Sequence, residues 1–202
     1  MKIAFLDRDG TINLDYPDKD WKYIQRPILL DGAIRGMKYL NERGFEIIIV
    51  SNQYIIGEGI ITVEQFNTFH NRLLEILTIN NISILDSFIC PHSRTDSCKC
   101  CKPKIGLILQ AIEKYPNIDL SQSIMCGDSI SDFECAKTIG LKFYGINFGE
   151  NRIFPYGIWH KDGRPYLFNY GVNQFVQNRY VGQVTTLDKG EELWQEWFRT
   201  HP

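Results

Sequence analysis

The amino-acid sequence predicts an α/β fold in which a parallel sheet carries helices on both faces. Short apolar runs alternate with amphipathic segments through the first 146 of the 202 residues. The runs are nearly continuous, which is typical of strands buried on both faces of a parallel sheet. Polar residues directly follow three of the runs. With 44% hydrophobic and 23% charged residues, the composition is globular, and we predict a single domain over residues 1–202.

Five apolar runs define the predicted strands. They are residues 2–6, 45–50, 82–90, 123–126 and 141–146. Ligands of open parallel sheets bind beyond the carboxyl ends of the strands, so we predict the functional site at this edge. The polar residues at three of these ends are Asp7 and Asp9, Ser51 and Asn52, and Asp128 and Asp132.

Four amphipathic segments between the strands predict helices. Their limits follow from capping residues, because Asp, Ser and Thr cap helix N-termini, Pro suits the first turn and Gly ends helices. We expect helices from Asp31 to Arg43 before Gly44, from a Thr62 and Gln65 capping box through Leu77, from Pro103 through Ile112, and from Ser131 to Ile139 before Gly140.

Residues 148–180 break this alternation. They hold nine aromatic residues in 33 positions, well above the 13% average of the chain. We predict an inserted hairpin, turned at Asp162–Gly163, that packs on the core or mediates self-association with a neighbouring subunit. A lid over the functional site is the alternative. A strand over 181–187 and an amphipathic helix over 191–198 are expected to follow.

Charge and hydrophobicity argue against several classes of protein. The formal net charge is −2 and the pI is about 6.1, so no basic surplus favours nucleic-acid binding. No apolar run approaches the ~20 residues of a membrane span, and the N-terminal run is too short for a signal peptide. We therefore expect a cytoplasmic protein that binds neither a nucleic acid nor a membrane.

The strongest single motif is Asp7-Arg8-Asp9-Gly10-Thr11, directly after the first predicted strand. Gly10 permits a sharp turn, so that the two carboxylates can take different tasks. One can attack as a nucleophile while the other transfers a proton, and both can help to hold a hard cation such as Mg²⁺. The alternative is a solvated turn, since Asp and Gly are common turn residues.

Residues remote in the chain add further candidates. Asp128 and Asp132 supply two more carboxylates, although Asp132 equally suits the first turn of a helix. The Ser51 hydroxyl and the neighbouring backbone N–H groups can bind a phosphate oxygen, and Lys102 can add a cation. Taken alone, each of these residues is weak evidence for a functional site, because the same residue types are common in turns and on protein surfaces.

Four soft ligands within 11 residues predict a structural zinc site. Cys90 with His92 and Cys98 with Cys100 form two ligand pairs in the loop over 90–101, and two such pairs can complete a tetrahedral site. No coordination position is left open, so the metal is expected to fix the loop that delivers Lys102. Cys101 could replace Cys100, and free thiols beside a surface histidine are the alternative.

Together these motifs resemble the haloacid dehalogenase superfamily of phosphohydrolases over about residues 1–148. The resemblance implies a Rossmann-like fold without a large cap domain, and Mg²⁺-dependent hydrolysis of phosphomonoesters. It implies that Asp7 is the nucleophile that forms an aspartyl-phosphate and that Asp9 is the general acid and base. The implied ligands of Mg²⁺ are the Asp7 side chain, the Asp9 carbonyl and the Asp128 side chain, with Asp132 as support. The phosphoryl group would be held by Ser51, Asn52 and Lys102.

The zinc loop leading into Lys102 narrows the resemblance to the zinc-containing phosphatases of heptose bisphosphate and histidinol phosphate. It implies a small phosphorylated metabolite as partner, and removal of the 7-phosphate from D-glycero-D-manno-heptose 1,7-bisphosphate in carbohydrate metabolism. Three features differ from the heptose group. Cys101 replaces an arginine, Glu58 lies in a loop that is usually basic, and the stretch from Asp15 to Arg26 lacks the usual Gly-Tyr-Val pattern. The alternatives are histidinol phosphate or another small phosphomonoester, a 3′-phosphatase for nucleic-acid ends, and a non-catalytic zinc-stabilised interaction module.

Overall fold

The computed structural model describes residues 1–30 and 32–146, which form a five-stranded parallel sheet with helices packed against it. The strands are β1 (Ile3–Leu6), β2 (Glu46–Asn52), β3 (Ile84–Cys90), β4 (Ile124–Gly127) and β5 (Lys142–Gly145). Their order across the sheet is β3-β2-β1-β4-β5, and every neighbouring pair is parallel. The predicted α/β fold is confirmed.

The described part of the chain contains α-helices and short 3₁₀ helices between the strands. The α-helices are α1 (Ala33–Glu42), α2 (Tyr54–Gly57), α3 (Val63–Ile79), α4 (Gly106–Lys114) and α5 (Ile130–Ile139). The 3₁₀ helices are Asp18–Tyr23 and Leu120–Gln122, and neither these nor α2 were predicted. Helix α1 packs on β2, α4 on β3, and α5 on β4 and β5.

The hydrophobic core lies on both faces of the central strand β1. All four of its residues are 0% exposed, although successive side chains point to opposite faces of a sheet. Other chain segments must therefore cover both faces, and the residue that follows β1 emerges in the middle of the carboxyl edge.

Three predicted helix ends agree with the structure. The Thr62 side chain accepts a hydrogen bond from the Gln65 backbone, and the Gln65 side chain accepts one from the Thr62 backbone, which is the predicted capping box. Gly44 follows α1 with a φ of +75°, and Gly140 ends α5 with a φ of +78°. The predicted cap Asp31 lies outside the described residues.

Two predicted helix starts are wrong. Helix α5 is capped by Ser129 rather than Ser131: the Ser129 side chain accepts a hydrogen bond from the Asp132 backbone, and the Asp132 side chain accepts one from the Ser129 backbone. Helix α4 begins at Gly106, so Pro103 lies in the preceding turn rather than in the first helical turn.

A second, smaller hydrophobic cluster joins the loop after β1 to helix α3. It comprises Trp21 from the first 3₁₀ helix together with Ile55, Ile61, Phe66 and Phe69. We call it the Trp21 cluster. It packs beside the carboxyl edge of the sheet and forms part of the surroundings of the motif after β1.

The predictions for residues 148–180, 181–187 and 191–198 fall outside the described residues. Within the described part, no helix combines the length and the apolar character that crossing a membrane requires.

Candidate active site

A cavity of about 180 Å³ lies at the carboxyl edge of the sheet, where β1, β2 and β4 end. The register pairs Leu6 of β1 with both neighbouring strands, so Asp7 emerges between them. Six of the predicted site residues line this cavity, namely Asp7, Asp9, Ser51, Asn52, Lys102 and Asp128. The tertiary structure thus brings together residues that are remote in the chain.

Lys102 lies at the centre of the site. Its Nζ is 2.6 Å from Asp7 Oδ1 and 2.6 Å from Asp132 Oδ1, and it donates a hydrogen bond of 2.7 Å to the Val50 carbonyl. The residue is 4% exposed. Burial alone would lower the pKa of Lys102, but Asp132 and Asp7 outweigh it and raise that pKa, so the ammonium group stays charged.

Three buried carboxylates beside Lys102 form a site that suits Mg²⁺. One oxygen each from Asp7, Asp128 and Asp132 lies within 4.8 Å of the others. Burial raises the pKa of Asp7 well above its usual range; Lys102 opposes this, and Asp132 and Asp128 add to it. A divalent cation would relieve this repulsion, and carboxylate oxygens are the ligands that Mg²⁺ prefers. The donor set therefore fits magnesium.

Gly10 allows Asp128 to approach the Asp7 motif. Its φ is +85°, and a Cβ atom at this position would lie 2.3 Å from Asp128 Oδ2. Any side chain here would strain the backbone and displace the Asp128 carboxylate. The glycine therefore has a steric role at the cation site in addition to its role in the turn.

Asp9 lies beside the carboxylate cluster and accepts hydrogen bonds from three side chains. The donors are Arg8 Nη2 at 2.8 Å, Asn13 Nδ2 at 2.8 Å and Gln53 Nε2 at 2.6 Å. None of these three donors is a predicted site residue. Gln53 directly follows the polar end of β2, which is a signal that could have found it. The metal contact expected through the Asp9 carbonyl stays a prediction.

The two polar residues at the end of β2 have different surroundings. Ser51 is buried, lines the cavity and accepts a hydrogen bond of 2.8 Å from Gln53 Nε2. The Asn52 side chain instead pairs with the Lys102 backbone, accepting from its N–H at 2.8 Å and donating to its carbonyl at 3.0 Å. Asn52 therefore holds the segment that delivers Lys102, and direct phosphate binding by Asn52 stays a prediction.

The loop after β3 gathers four soft ligand atoms. Those of Cys90, His92, Cys98 and Cys100 all lie within 4.8 Å of one another. The Cys90 sulfur lies 3.7 Å from that of Cys98 and 3.2 Å from that of Cys100, which is close to the edge of about 3.8 Å of a tetrahedron whose centre lies ~2.3 Å from each sulfur. The donor set therefore fits zinc. Cys101 is not part of this group, and its Sγ lies 3.5 Å from the Lys102 carbonyl.

Sequence comparisons show which known proteins the chain is similar to. The family model described as polynucleotide kinase 3 phosphatase matches residues 2–145. The chain is 40% identical over 147 residues to a probable D-glycero-D-manno-heptose-1,7-bisphosphate 7-phosphatase of Thermoplasma volcanium, covering 71% of this chain and 97% of that relative. It is 35% identical over 152 residues to the histidine biosynthesis bifunctional protein HisB of Campylobacter jejuni, covering 74% of this chain and 42% of that protein.

The fold also has a counterpart among solved structures. The crystal structure of D,D-heptose 1,7-bisphosphate phosphatase from B. bronchiseptica, complexed with magnesium and phosphate, superposes with a TM-score of 0.74. The match covers 97% of this chain and 99% of that one at 24% sequence identity. At this identity the likeness shows a shared fold.

Proposed function

The chain belongs to the polynucleotide kinase 3 phosphatase family and is a phosphatase of the haloacid dehalogenase type, and on this basis we propose that it hydrolyses small phosphomonoesters with Mg²⁺. The observation that carries the proposal is the convergence of Lys102, Asp7 and Asp132, with both carboxylates 2.6 Å from one buried ammonium group. Asp128 lies within 4.8 Å of the same carboxylates. Phosphoryl transfer needs such concentrated, positioned charge.

Each side chain of the site has a role in this proposal. The Asp7 carboxylate attacks the phosphorus atom, the ester P–O bond breaks, and Asp9 donates a proton to the leaving oxygen. Water then attacks the aspartyl-phosphate while Asp9 accepts its proton, which frees phosphate and restores Asp7. Lys102 and Ser51 hold the phosphoryl oxygens, and Asp132 holds Lys102.

Two metals complete the proposed enzyme. Mg²⁺, held by Asp7 and Asp128 with the Asp9 carbonyl, would offset the negative charge of the phosphoryl oxygens. Zinc, held by the four donors after β3, would fix the loop that leads to Lys102. None of the six cysteines forms a disulfide, which supports the cytoplasmic location that we propose.

Replacing the nucleophile tests this function. We expect Asp7→Asn to lower Mg²⁺-dependent phosphate release by about 10³-fold or more, because the amide keeps the volume but cannot attack phosphorus. The melting temperature of the variant should stay close to that of the wild type, which controls for misfolding. Full activity in a folded variant would refute the covalent mechanism.

For the substrate we propose D-glycero-D-manno-heptose 1,7-bisphosphate, with hydrolysis of its 7-phosphate. The 40% identity to the Thermoplasma volcanium relative over 97% of its length supports this choice. The cavity favours a second candidate, histidinol phosphate. Among the described residues that line the cavity, Lys102 is the one Lys or Arg. The acidic residues of the lining are Asp7, Asp9, Asp15 and Asp128. A cationic leaving group suits this charge better than a second phosphate does.

A panel of esters separates the candidates. Phosphate release should be compared for heptose 1,7-bisphosphate, histidinol phosphate and an oligonucleotide with a 3′-phosphate. Heptose bisphosphate is expected to have the highest kcat/KM, and a clear preference for histidinol phosphate or the oligonucleotide would replace that assignment. No release from any phosphomonoester would favour the zinc-stabilised interaction module.

A further inference from the structure

The guanidinium group of Arg8 contacts both oxygens of the Asp9 carboxylate. We propose that Arg8 is a positioning residue, which holds Asp9 in the orientation required to protonate the leaving group. This inference rests on the proposed phosphatase function and adds a residue to it. Asp9 lines the cavity, whereas Arg8 does not, so Arg8 acts through Asp9 rather than on the substrate.

Arg8 heads the fully buried large side chains of the described residues, at 0% exposure. Burying a guanidinium group is costly unless its charge is paired. Asp9 provides that pair, since Nε lies 3.0 Å from Oδ1 and Nη2 lies 2.8 Å from Oδ2. A planar donor fork that contacts both oxygens sets the plane of the carboxylate as well as its distance.

Aromatic rings of the Trp21 cluster anchor the guanidinium group independently of Asp9. The Arg8 Cζ lies 5.0 Å from the ring centres of both Phe66 and Phe69, and 5.7 Å from that of Trp21. The ring faces attract the cation, and the Arg8 side chain is 0% exposed. Arg8 is therefore a fixed reference against which the Asp9 carboxylate is aligned.

The same guanidinium group also orients the amide of Gln53. Arg8 Nη2 donates to Gln53 Oε1 at 2.9 Å, and Gln53 Nε2 donates to Asp9 Oδ2 at 2.6 Å and to Ser51 Oγ at 2.8 Å. Arg8 thus controls Asp9 both directly and through Gln53. Displacement of this one group would misplace the proton donor relative to the leaving oxygen.

The dependence of kcat/KM on the leaving group tests the proposal. Departure of 4-nitrophenolate needs no proton, whereas the alkoxide that leaves glycerol 2-phosphate does. Arg8→Lys keeps the positive charge but loses the fork. We expect it to lower kcat/KM by about 10- to 100-fold for glycerol 2-phosphate and by less than about threefold for 4-nitrophenyl phosphate.

A double-mutant cycle shows whether Arg8 acts through Asp9. In an Asp9→Asn background no acid remains to be positioned, so adding Arg8→Lys should cause no further loss with either ester. Equal losses for both esters in the single Arg8→Lys variant, or full additivity with Asp9→Asn, would reduce Arg8 to a structural residue.

Two further variants keep the proposal testable if Arg8→Lys misfolds. Phe69→Leu leaves Arg8 and Asp9 in place but opens the ring enclosure, and it should produce a smaller loss that is again selective for glycerol 2-phosphate. Arg43→Lys is the matched control, because Arg43 also lies over a ring, that of Tyr39 at 4.9 Å, but on the surface. It should change neither rate. A Phe69→Leu variant that is less stable yet equally active on both esters would contradict the proposal.

Different results would overturn the proposed function and the positioning role of Arg8. Wild-type protein that releases phosphate neither from these two esters nor from any ester of the substrate panel would overturn the proposed function, and the positioning role with it. Wild-type activity combined with unselective losses in the Arg8→Lys and Phe69→Leu variants would overturn the positioning role alone.

Discussion

The Lys102 ammonium group illustrates how a buried charge differs from an exposed one. It contacts two buried carboxylates at 2.6 Å, so its removal would leave both without a counter-charge. Lys114 makes a contact of the same length with Asp86, but its side chain is 58% exposed. Water can replace Lys114 as the partner of Asp86, whereas it has little access to Asp7 and Asp132.

We therefore expect Lys102→Met to destabilise the protein by about 3 kcal/mol or more when no Mg²⁺ is added, because two unpaired carboxylates stay buried. The control Lys114→Met should leave the free energy of unfolding almost unchanged. Urea denaturation of both variants measures the difference. Equal losses for the two variants would mean that the ion pairs around Lys102 do not support the fold.

The loop between β3 and α4 joins the four-donor cluster to the cavity at the carboxyl edge of the sheet. Cys100, a member of the cluster, lies two residues before Lys102. Arg94 holds the outer part of the loop, donating to Glu58 at 2.7 Å and to Asp18 at 3.1 Å. A metal bound at the cluster would therefore act on catalysis by fixing the position of Lys102.

We expect Cys98→Ser to lose zinc and to melt at a lower temperature, because the serine hydroxyl is a poor replacement for a thiolate ligand. Cys101→Ser is the matched control in the same loop and should keep both the metal and the melting temperature. Metal content per chain, measured by atomic emission, and thermal unfolding test both variants. A Cys98→Ser protein with full zinc content would disprove the assigned ligand set.

His70 links the stability of the whole sheet and helix assembly to pH. The residue is 8% exposed, its ring stacks on that of Phe66 at 5.5 Å, and neither ring nitrogen has a hydrogen-bond partner among the described residues. Burial and the Arg8 charge lower the pKa of His70 from 6.5 to about 4, while Asp9 opposes them. Between these two values the unfolded chain binds a proton that the folded chain does not. The contribution of His70 to the free energy of unfolding therefore decreases as the pH falls from 6.5 towards 4.

His70→Phe tests this pH dependence, because it keeps an aromatic ring against Phe66 and removes the titrating group. Between pH 7 and pH 5 the wild type should lose about 2 kcal/mol more stability than the variant. Urea denaturation at the two pH values measures the difference, and the other titrating groups are common to both proteins. Parallel losses in the two proteins would show that His70 titrates alike in the folded and unfolded states.

The predicted elements that agree with the structure are those with strong local signals. Continuous apolar runs identified the five strands, and Thr62 with Gln65 identified the start of α3. The start of α5 was wrong because Ser129 and Ser131 are equally good caps by type. The side-chain position of Asp132 separates the two, since its carboxylate accepts a hydrogen bond from the Ser129 backbone.

Local chemistry was sufficient to indicate a parallel sheet, a cluster of polar residues at its carboxyl edge and a loop that gathers four possible metal ligands. Strand burial, carboxylate spacing and ligand type are properties of short segments, and a linear chain displays them directly. The choice of partners required the folded molecule: Arg8 faces Asp9, Asn52 holds the Lys102 backbone, and Cys100 rather than Cys101 joins the donor cluster. The direction of a side chain depends on groups that pack around it from remote parts of the chain, as the rings of Trp21, Phe66 and Phe69 do around Arg8.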